Sequence, residues 1–279
     1  MQVILITVLV LGAIGVVGAA LLYVVAKKFH THEDPRIGEV ESLLPGANCG
    51  ACGRSGCHDF ATACVAADSL ESLVCPGAGD AAMKRIAALL GLEASVATPQ
   101  IAVVKCGGSC EMRPRRVRYD GIRLCSAENA VGAGESMCGY GCLGCGDCVS
   151  ACRFDAIHID EATGLPVVDE SKCTGCGACA DACPRKVIMI RSKGPRGMRV
   201  WVACSSRDKG AYTMKVCKAG CIGCRKCAGV CSHDAITVNG NLAVIDPEKC
   251  KLCRKCEAVC PTGAIRTSNF PVRKSDCSV

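Results

Sequence analysis

The hydrophobic pattern of the chain begins with an uncharged, almost wholly apolar run from Val3 to Ala26. A helix needs about 20 apolar residues to cross a bilayer, so this run predicts one N-terminal transmembrane helix within residues 1–28. Lys27 and Lys28 follow the run directly, and no Lys or Arg precedes it. The positive-inside rule then predicts a single-pass protein of the plasma membrane whose soluble part is cytoplasmic. A cleaved signal peptide is the alternative, but the run lacks a positively charged start and a clear A-x-A-like exit.

After this run, short helical and β-branched patterns predict an α+β protein made of small domains. Residues 33–92 form a small cysteine domain that ends in an amphipathic helix, Asp80 to Leu90, with Gly91 as its C-cap. Residues 93–124 form a candidate linker with extra cysteines. Short β-branched stretches further on, such as Ile157 to Ile159, predict small hairpins.

An internal repeat organises the remainder of the chain. A set of six cysteines occurs twice with the same spacings, and a D-A-I segment follows each set, at Asp155 and at Asp234. A second run of four cysteines completes each copy. We therefore expect two tandem modules, at residues 125–192 and 204–270. The two sets of six are Cys125, Cys138, Cys142, Cys145, Cys148 and Cys152, and Cys204, Cys217, Cys221, Cys224, Cys227 and Cys231.

The number of cysteines allows a secreted disulfide scaffold or metal binding in a reducing compartment, and the cysteine spacings described below favour metal binding. The chain has 28 Cys among 279 residues and only 3% aromatic residues, so something other than large side chains must organise its interior, and metal clusters held by thiolates can do that. Disulfide-dense secreted domains are usually much shorter than this chain. The formal charge of +7 counts every Cys as a neutral thiol. Iron-bound thiolates would reverse that excess, which removes the argument for nucleic acid as a partner.

Four cysteine runs have the C-x2-C-x2-C-x3-C spacing of bacterial ferredoxins. Three thiolates on one loop can reach three corners of an iron–sulfur cube, while the fourth ligates the other cluster of the pair. Zinc sites would instead use two well-separated pairs. Each module is therefore expected to be ferredoxin-like and to hold two [4Fe–4S] clusters. The four predicted ligand sets are Cys142, Cys145, Cys148 and Cys183; Cys173, Cys176, Cys179 and Cys152; Cys221, Cys224, Cys227 and Cys260; and Cys250, Cys253, Cys256 and Cys231.

A fifth cysteine set precedes the modules and has a different spacing. Cys49, Cys52, Cys57 and Cys75 fit a fifth [4Fe–4S] cluster, and a zinc knot is the alternative that the spacing leaves open.

The remaining cysteines suggest a sixth cluster. It could lie on Cys106, Cys110, Cys125 and Cys138, or between the modules on Cys125, Cys138, Cys204 and Cys217. Free buried thiols are the alternative, and Cys64 is expected to be one of them. The sequence therefore predicts at least five clusters, leaves a sixth open, and assigns no role to Cys277.

The two modules differ in charge beside their cysteines. Gly146-Asp147 and Gly177-Ala178 in the first module are replaced by Arg225-Lys226 and Arg254-Lys255 in the second. Positive charge favours the reduced state of a cluster, so the second module should have the higher reduction potential. The same charges could steer an acidic electron carrier to this module. A solvated face without a partner is the alternative.

Two cysteine segments resemble a known family. The string L-L-P-G-A-N-C-G-A-C-G-x-x-G-C extends over Leu43 to Cys57, and Y-G-C-L-G-C-G-D-C extends over Tyr140 to Cys148. With these strings and its apolar N-terminal run, the chain resembles the B subunit of the Rnf electron transport complex, in a long form with two ferredoxin modules. The resemblance covers essentially the whole chain, and it implies a [4Fe–4S] cluster on the N-terminal cysteine set.

This resemblance implies a membrane complex that passes electrons between ferredoxin and NAD, coupled to sodium ion or proton pumping. The chain would supply clusters to that translocase, with ferredoxin and the other subunits as partners and no complete active site of its own. The sequence has no G-x-G-x-x-G after a strand and no P-loop, in keeping with this division. The alternatives are a complex that reduces a redox-sensing transcription factor, a membrane hydrogenase or carbon monoxide dehydrogenase subunit, and a structural zinc protein.

Overall fold

The computed structural model of the chain describes residues 2–28, 33–93, 98–132 and 134–271. Its helices and strands alternate along the chain, which confirms the mixed helix-and-strand class. The helices are α1 Gln2–Lys28, α2 Pro35–Ser42, α3 Cys57–Ala66, α4 Gly79–Leu90, α5 Cys125–Val131, α6 Asp147–Ser150, α7 Ala178–Asp181, α8 Gly210–Val216, α9 Lys226–Gly229 and α10 Lys255–Ala258. The strands are β1 Gln100–Val104, β2 Ile157–Asp160, β3 Leu165–Val168, β4 Ile188–Ser192, β5 Arg199–Val202, β6 Ile236–Asn239, β7 Leu242–Ile245 and β8 Ile265–Ser268.

Helix α1 covers the apolar N-terminal run and is 27 residues long. Large apolar side chains along it, among them Ile4, Val16 and Leu22, are exposed. Over the residues whose side chains are described, no helix combines the length and the apolar character that a membrane crossing requires. The transmembrane helix stays a prediction.

Helices α2, α3 and α4 enclose a small core of their own. Val40, Phe60 and Ile86 are fully buried in it, and so is Cys64, as predicted for a core thiol. Gly91 follows the last residue of α4 as its C-cap, and its N–H donates to the carbonyls of Ala87 and Ala88 while its backbone is left-handed, at φ 69°. The amphipathic helix and its glycine cap are therefore confirmed.

Each module contains an antiparallel hairpin, as the β-branched stretches predict. Strand β2 pairs with β3, and β6 pairs with β7 in the same way. Ile157 and Ile236 are buried at the starts of the two hairpins, where they contact the cysteines of their modules. The predicted hairpins are confirmed.

A second two-stranded sheet in each module joins segments that are distant in sequence. Val104 of β1 lies opposite Ile188 of β4, and Val202 of β5 lies opposite Ile265 of β8. The strand that precedes the cysteines of a module therefore pairs with the strand that closes it. Residues 100–104, inside the candidate linker, supply this strand to the first module.

The two modules also contact each other directly. The indole Nε1 of Trp201 donates to the carbonyl oxygen of Val104 at 3.0 Å. The hydroxyl of Ser205 donates to the carbonyl of Lys105 at 3.0 Å. The segments that leave β1 and β5 are thus held side by side.

Candidate iron–sulfur centres

Two cavities in the second module are each lined by four cysteines. In both cavities three cysteines come from one run and the fourth comes from the other run. These are the two sets that the ferredoxin spacing groups together. The first cavity, of about 370 Å³, contains Cys221, Cys224, Cys227 and Cys260, and the second, of about 340 Å³, contains Cys231, Cys250, Cys253 and Cys256.

The loop of the first cavity curves tightly because Gly223 has a positive φ, of 65°. A Cβ at this position would lie 2.8 Å from the carbonyl oxygen of Asn241, closer than real side chains approach. Only glycine fits there without moving the backbone. Helix α9 then begins directly after Arg225 and buries Cys227 in its first turn. Local backbone geometry therefore directs the three thiols of this run toward the same space.

The first module has the corresponding two cavities, but one of them differs from the predicted set. The cavity equivalent to that of Cys231 and Cys250, of about 340 Å³, contains all four predicted cysteines: Cys152, Cys173, Cys176 and Cys179. The cavity equivalent to that of Cys221 and Cys224, of about 360 Å³, is lined by Cys125, Cys142, Cys148 and Cys183. The structure thus brings three of the four predicted ligands to this latter cavity, with Cys125 where Cys145 was expected.

The thiol of Cys145 points to a buried carboxylate. Its Sγ donates to Oε2 of Glu128 at 3.0 Å, and Glu128 is only 3% exposed. The sequence did not predict this contact. The one signal is that Glu128 follows Cys125 by three positions on α5, which places both residues on the same helix face.

In the N-terminal cysteine set, Cys49 and Cys52 lie on the loop before α3, Cys57 is the first residue of that helix, and Cys75 follows it in the chain. The N–H of Cys57 donates to Oδ1 of Asn48 at 2.7 Å, which fixes the start of the helix. Burial raises the pKa of the Cys75 thiol against the effect of two backbone N–H groups, and the nearby thiols of Cys52 and Cys49 raise it further. Three of the four predicted ligands therefore lie within electrostatic reach of one another.

This N-terminal domain faces the first module. A Cβ at Gly77 would lie 3.1 Å from the ring of Phe154, so the two domains are in close contact there. Burial raises the pKa of Cys176, and Cys49 of the N-terminal set is among the thiols that raise it further. The N-terminal set is consequently a neighbour of the cavity that contains Cys176.

The cavities fit iron–sulfur clusters in donor chemistry and environment. Burial raises the pKa of Cys142 and of Cys179 to about 12, so free thiolates would be costly in such dry sites. Backbone N–H groups point to the sulfurs, as at Ala243, whose N lies 3.5 Å from Sγ of Cys221. Iron–sulfur clusters are bound by soft thiolate donors, and hydrogen bonds from N–H groups to sulfur and apolar surroundings adjust their potentials.

A single ion and an iron–sulfur cube require different sulfur arrangements. In the described part of the chain, no group of three or more His, Cys, Asp or Glu side chains converges on one metal ion. A four-iron cube holds its thiolates further apart than one zinc ion does. Four cysteines that line one cavity without converging on a point therefore suit a cluster.

Paired cysteine-lined cavities in two repeats define a ferredoxin-type iron–sulfur protein. A family model for the 4Fe-4S dicluster domain matches residues 141–187 and 220–264, which covers both modules. A family model described as "Putative Fe-S cluster" matches residues 44–72, in the N-terminal domain.

Curated relatives match nearly the whole chain. The B subunit of the Na(+)-translocating ferredoxin:NAD(+) oxidoreductase complex of Acetobacterium woodii is 40% identical over 89% of this chain and 73% of its own length. The proton-translocating counterpart from Clostridium ljungdahlii is 40% identical over 90% of this chain and 87% of its own length. The B subunit of the ion-translocating oxidoreductase complex of Methanosarcina acetivorans is 39% identical over 86% of this chain and 89% of its own length. The chain belongs to this family, the B subunits of the Rnf complexes, which confirms the resemblance.

Proposed function

We propose that this chain carries single electrons between ferredoxin and the other subunits of an ion-translocating ferredoxin:NAD oxidoreductase complex. The main support for this proposal is the set of four cavities, each lined by four cysteines, in a chain whose relatives are named for that complex. A [4Fe–4S] cluster bound in such a cavity supplies a site that accepts and releases one electron. The thiols of the chain hold the cluster, its apolar walls exclude water, and its N–H groups adjust the potential.

The proposed ligands are the twenty cysteines that the spacing predicts, in five clusters. Cys145 is included among them, because its counterpart Cys224 lines the equivalent cavity of the second module. The thiol of Cys145 would turn from Glu128 to the metal when the cluster assembles.

The domain contacts suggest the direction in which the chain connects its partners. The N-terminal domain follows α1 and touches the first module through Gly77 and Phe154. The second module is at the other end of the chain, and its Cys224 and Cys253 are exposed. We assign contact with the soluble carrier to the second module and contact with the membrane subunits to the N-terminal end.

The exposed basic residues of the second module support ferredoxin as that carrier. Arg225, Lys226 and Lys255 are exposed beside the cysteine loops. Arg254 is different, because its Nε donates to Glu257 at 2.7 Å and its guanidinium lies 5.1 Å from the Phe270 ring. An acidic carrier would therefore meet the charges of Arg225, Lys226 and Lys255.

A membrane anchor at α1 is part of the proposal. Its support is the apolar run from Val3 to Ala26, followed at once by Lys27 and Lys28. A reporter fused after Val279 should then be active only in a cytoplasmic form. Activity of an exported reporter at that position would contradict the proposed topology.

The complex-level function is tested by deleting the gene for this chain and restoring it. Membrane vesicles without the chain should lose ferredoxin-dependent NAD reduction, and the full chain should restore it. Purified chain should contain at least about 20 iron atoms, since the five clusters hold four irons each. Unchanged NAD reduction in the deletion vesicles, or fewer than about 16 iron atoms in reconstituted protein, would contradict the proposal. The relatives are named for different ions, so no coupling ion is specified.

A further inference from the structure

Cys106 and Cys204 occupy equivalent places in the two modules. Each cysteine lies two residues after the last residue of a strand, Val104 of β1 or Val202 of β5. Val104 lies opposite Ile188, and Val202 lies opposite Ile265. The residues just before the two cysteines also match, since Lys105 N–H donates to Val187 and Ala203 N–H donates to Ala264. The cysteine spacing had instead equated Cys204 with Cys125.

The sulfurs of this pair each lie next to the backbone N–H of the first cysteine of a run. The N–H of Cys142, the first cysteine of the first module's run, donates to Sγ of Cys106 at 3.4 Å. The backbone N–H of Cys221, the first cysteine of the second module's run, lies close enough to the sulfur of Cys204 to lower the pKa of that thiol. Cys138 and Cys217 each precede those first cysteines by the same spacing, so they are a second equivalent pair.

The two equivalent pairs meet at the contact between the modules. Gly107 N–H donates to the carbonyl of Ala203 at 2.7 Å, which places the loops of Cys106 and Cys204 side by side. A Cβ at Gly108 would lie 3.1 Å from Sγ of Cys217. Cys138 and Cys217 pack in one buried cluster.

Three pairwise electrostatic interactions link the four thiols: Cys217 with Cys106, Cys217 with Cys138, and Cys204 with Cys138. Burial raises the pKa of Cys217, and the thiols of Cys106 and Cys138 raise it further. Burial also raises the pKa of Cys204 to about 11, with further contributions from Cys221 and Cys138. Cys138 therefore interacts with both cysteines of the second module.

We propose that Cys106, Cys138, Cys204 and Cys217 ligate a further [4Fe–4S] cluster between the two modules, with two ligands from each. The four thiols come from loops that pack together, and Cys138, Cys204 and Cys217 are buried. The site is distinct from the five ligand sets of the proposed function and uses none of their cysteines.

Two guanidinium groups next to this site suit the negative charge of such a cluster. Arg185 Nη1 donates to the carbonyls of Cys138 and Gly141, at 3.1 and 3.0 Å. Arg113 donates to the hydroxyl of Ser136 at 2.8 Å and to the carbonyl of Cys142. These oxygens are neutral, whereas the carboxylate of Glu128 also lies near Arg185 and offsets part of its charge. The remaining positive charge can balance thiolates and cluster.

The position of the site gives it a role in the electron path. Cys106 contacts Cys142 of one module's run, and Cys204 contacts Cys221 of the other. A one-electron carrier held there would connect the two modules, and no bond to a substrate would form or break.

Native mass spectrometry of the full-length chain, purified without oxygen in detergent, tests the site by counting clusters. The unaltered chain should contain the mass of six [4Fe–4S] clusters. Cys106→Ser and Cys204→Ser should each remove one cluster and leave five. Cys110→Ser is the matched control, because Cys110 is an exposed cysteine of the same segment, and it should keep six.

Five clusters in the unaltered chain, or six in both the Cys106→Ser and Cys204→Ser variants, would overturn the site. Loss of several clusters at once would mean that the substitutions prevent folding. A cryo-electron microscopy map of the unaltered complex then decides the question. Density joining the four sulfurs supports the site, whereas thiols packed directly on one another rule it out. Absence of iron from the five other sets would instead be a failure of the proposed function.

Discussion

Arg199 in the second module donates to both carboxylate oxygens of Glu170 in the first, with Nη1 3.0 Å from Oε2. Arg199 is only 5% exposed, so its positive charge is buried and this carboxylate balances it. Ser268 and Asn269 donate to the same carboxylate, at 2.9 and 2.6 Å. The side-chain bond with Arg199 is the largest influence on Glu170, and together these donors lower its pKa to about 2. The contact therefore fastens the closing strand of the second module to the first.

Replacing Glu170 by Gln should weaken the contact between the modules. Arg199 would stay buried without its counter-charge, and we expect the free energy of unfolding to fall by about 2 kcal/mol, a value reduced for the partial exposure of Glu170. Anaerobic thermal unfolding of the full chain, followed by the visible absorption of the clusters, measures the effect. Glu161→Gln is the control, since Glu161 is an exposed carboxylate of the same module.

The pH dependence of this effect has a defined sign. A carboxyl whose folded pKa is lowered contributes stability above its unfolded pKa, 4.5, and loses it as the pH falls toward about 2. The difference between the unaltered chain and Glu170→Gln should thus be the same at pH 6 and pH 8. A difference that disappears between those two values would contradict the ion pair as its cause.

Cys125 lines the cavity where Cys145 is the proposed cluster ligand, and substitution of each cysteine shows which of them binds the cluster. Cys145→Ser should remove about four iron atoms per chain, because it deletes one ligand of a four-iron cluster. Cys125→Ser should leave the iron content unchanged, because Cys125 lies outside the four-cysteine run. Iron and sulfide analysis measures both. Loss of iron in Cys125→Ser together with full iron in Cys145→Ser would make Cys125 the ligand.

Charge reversal at the exposed loop of the second module should slow electron delivery. Arg225→Glu with Lys226→Glu would repel an acidic ferredoxin and flatten the dependence of the rate on salt. Stopped-flow mixing of the chain with reduced ferredoxin measures the rate, and we expect a decrease of about tenfold or more at low salt.

The matched control for this reversal is Lys84→Glu with Arg85→Glu. These two residues are an exposed adjacent pair on α4, so the net charge changes by the same amount in the N-terminal domain. The control should keep the rate and salt dependence of the unaltered chain. Equal slowing by both pairs would show that net charge, rather than docking at the second module, controls the rate.

Gly223→Ala should disrupt the loop of Cys221 and Cys224. The new methyl group would lie within 3 Å of the backbone of Asn241, and the positive φ is unfavourable for alanine. We expect a loss of stability of about 2 kcal/mol or more, and release of the nearby cluster on mild chelation. Gly263→Ala is the control, since Gly263 also has a positive φ, of 61°, but open space around it. A similar loss in both variants would mean that backbone strain alone, without the clash, is responsible.

The sequence by itself determined the features that depend on neighbours along the chain. Helix α4 with its Gly91 cap and the hairpins after Asp155 and Asp234 follow from short-range patterns and turn preferences. The family also follows from the sequence, because the spacing of cysteines within one loop fixes which thiols can face the same cluster.

Tertiary structure decided the relationships that depend on distant segments. The pairing of β1 with β4, and of β5 with β8, sets the places of Cys106 and Cys204 through hydrogen bonds between strands far apart in sequence. The spacing equated Cys204 with Cys125 because the first module has a longer connection between Cys106 and Cys138 than the second has between Cys204 and Cys217. Offsets along a chain count residues, whereas strand register is set by backbone pairing and by which side chains are buried. For that reason only the folded chain shows that the loops of Cys106 and Cys204 lie side by side.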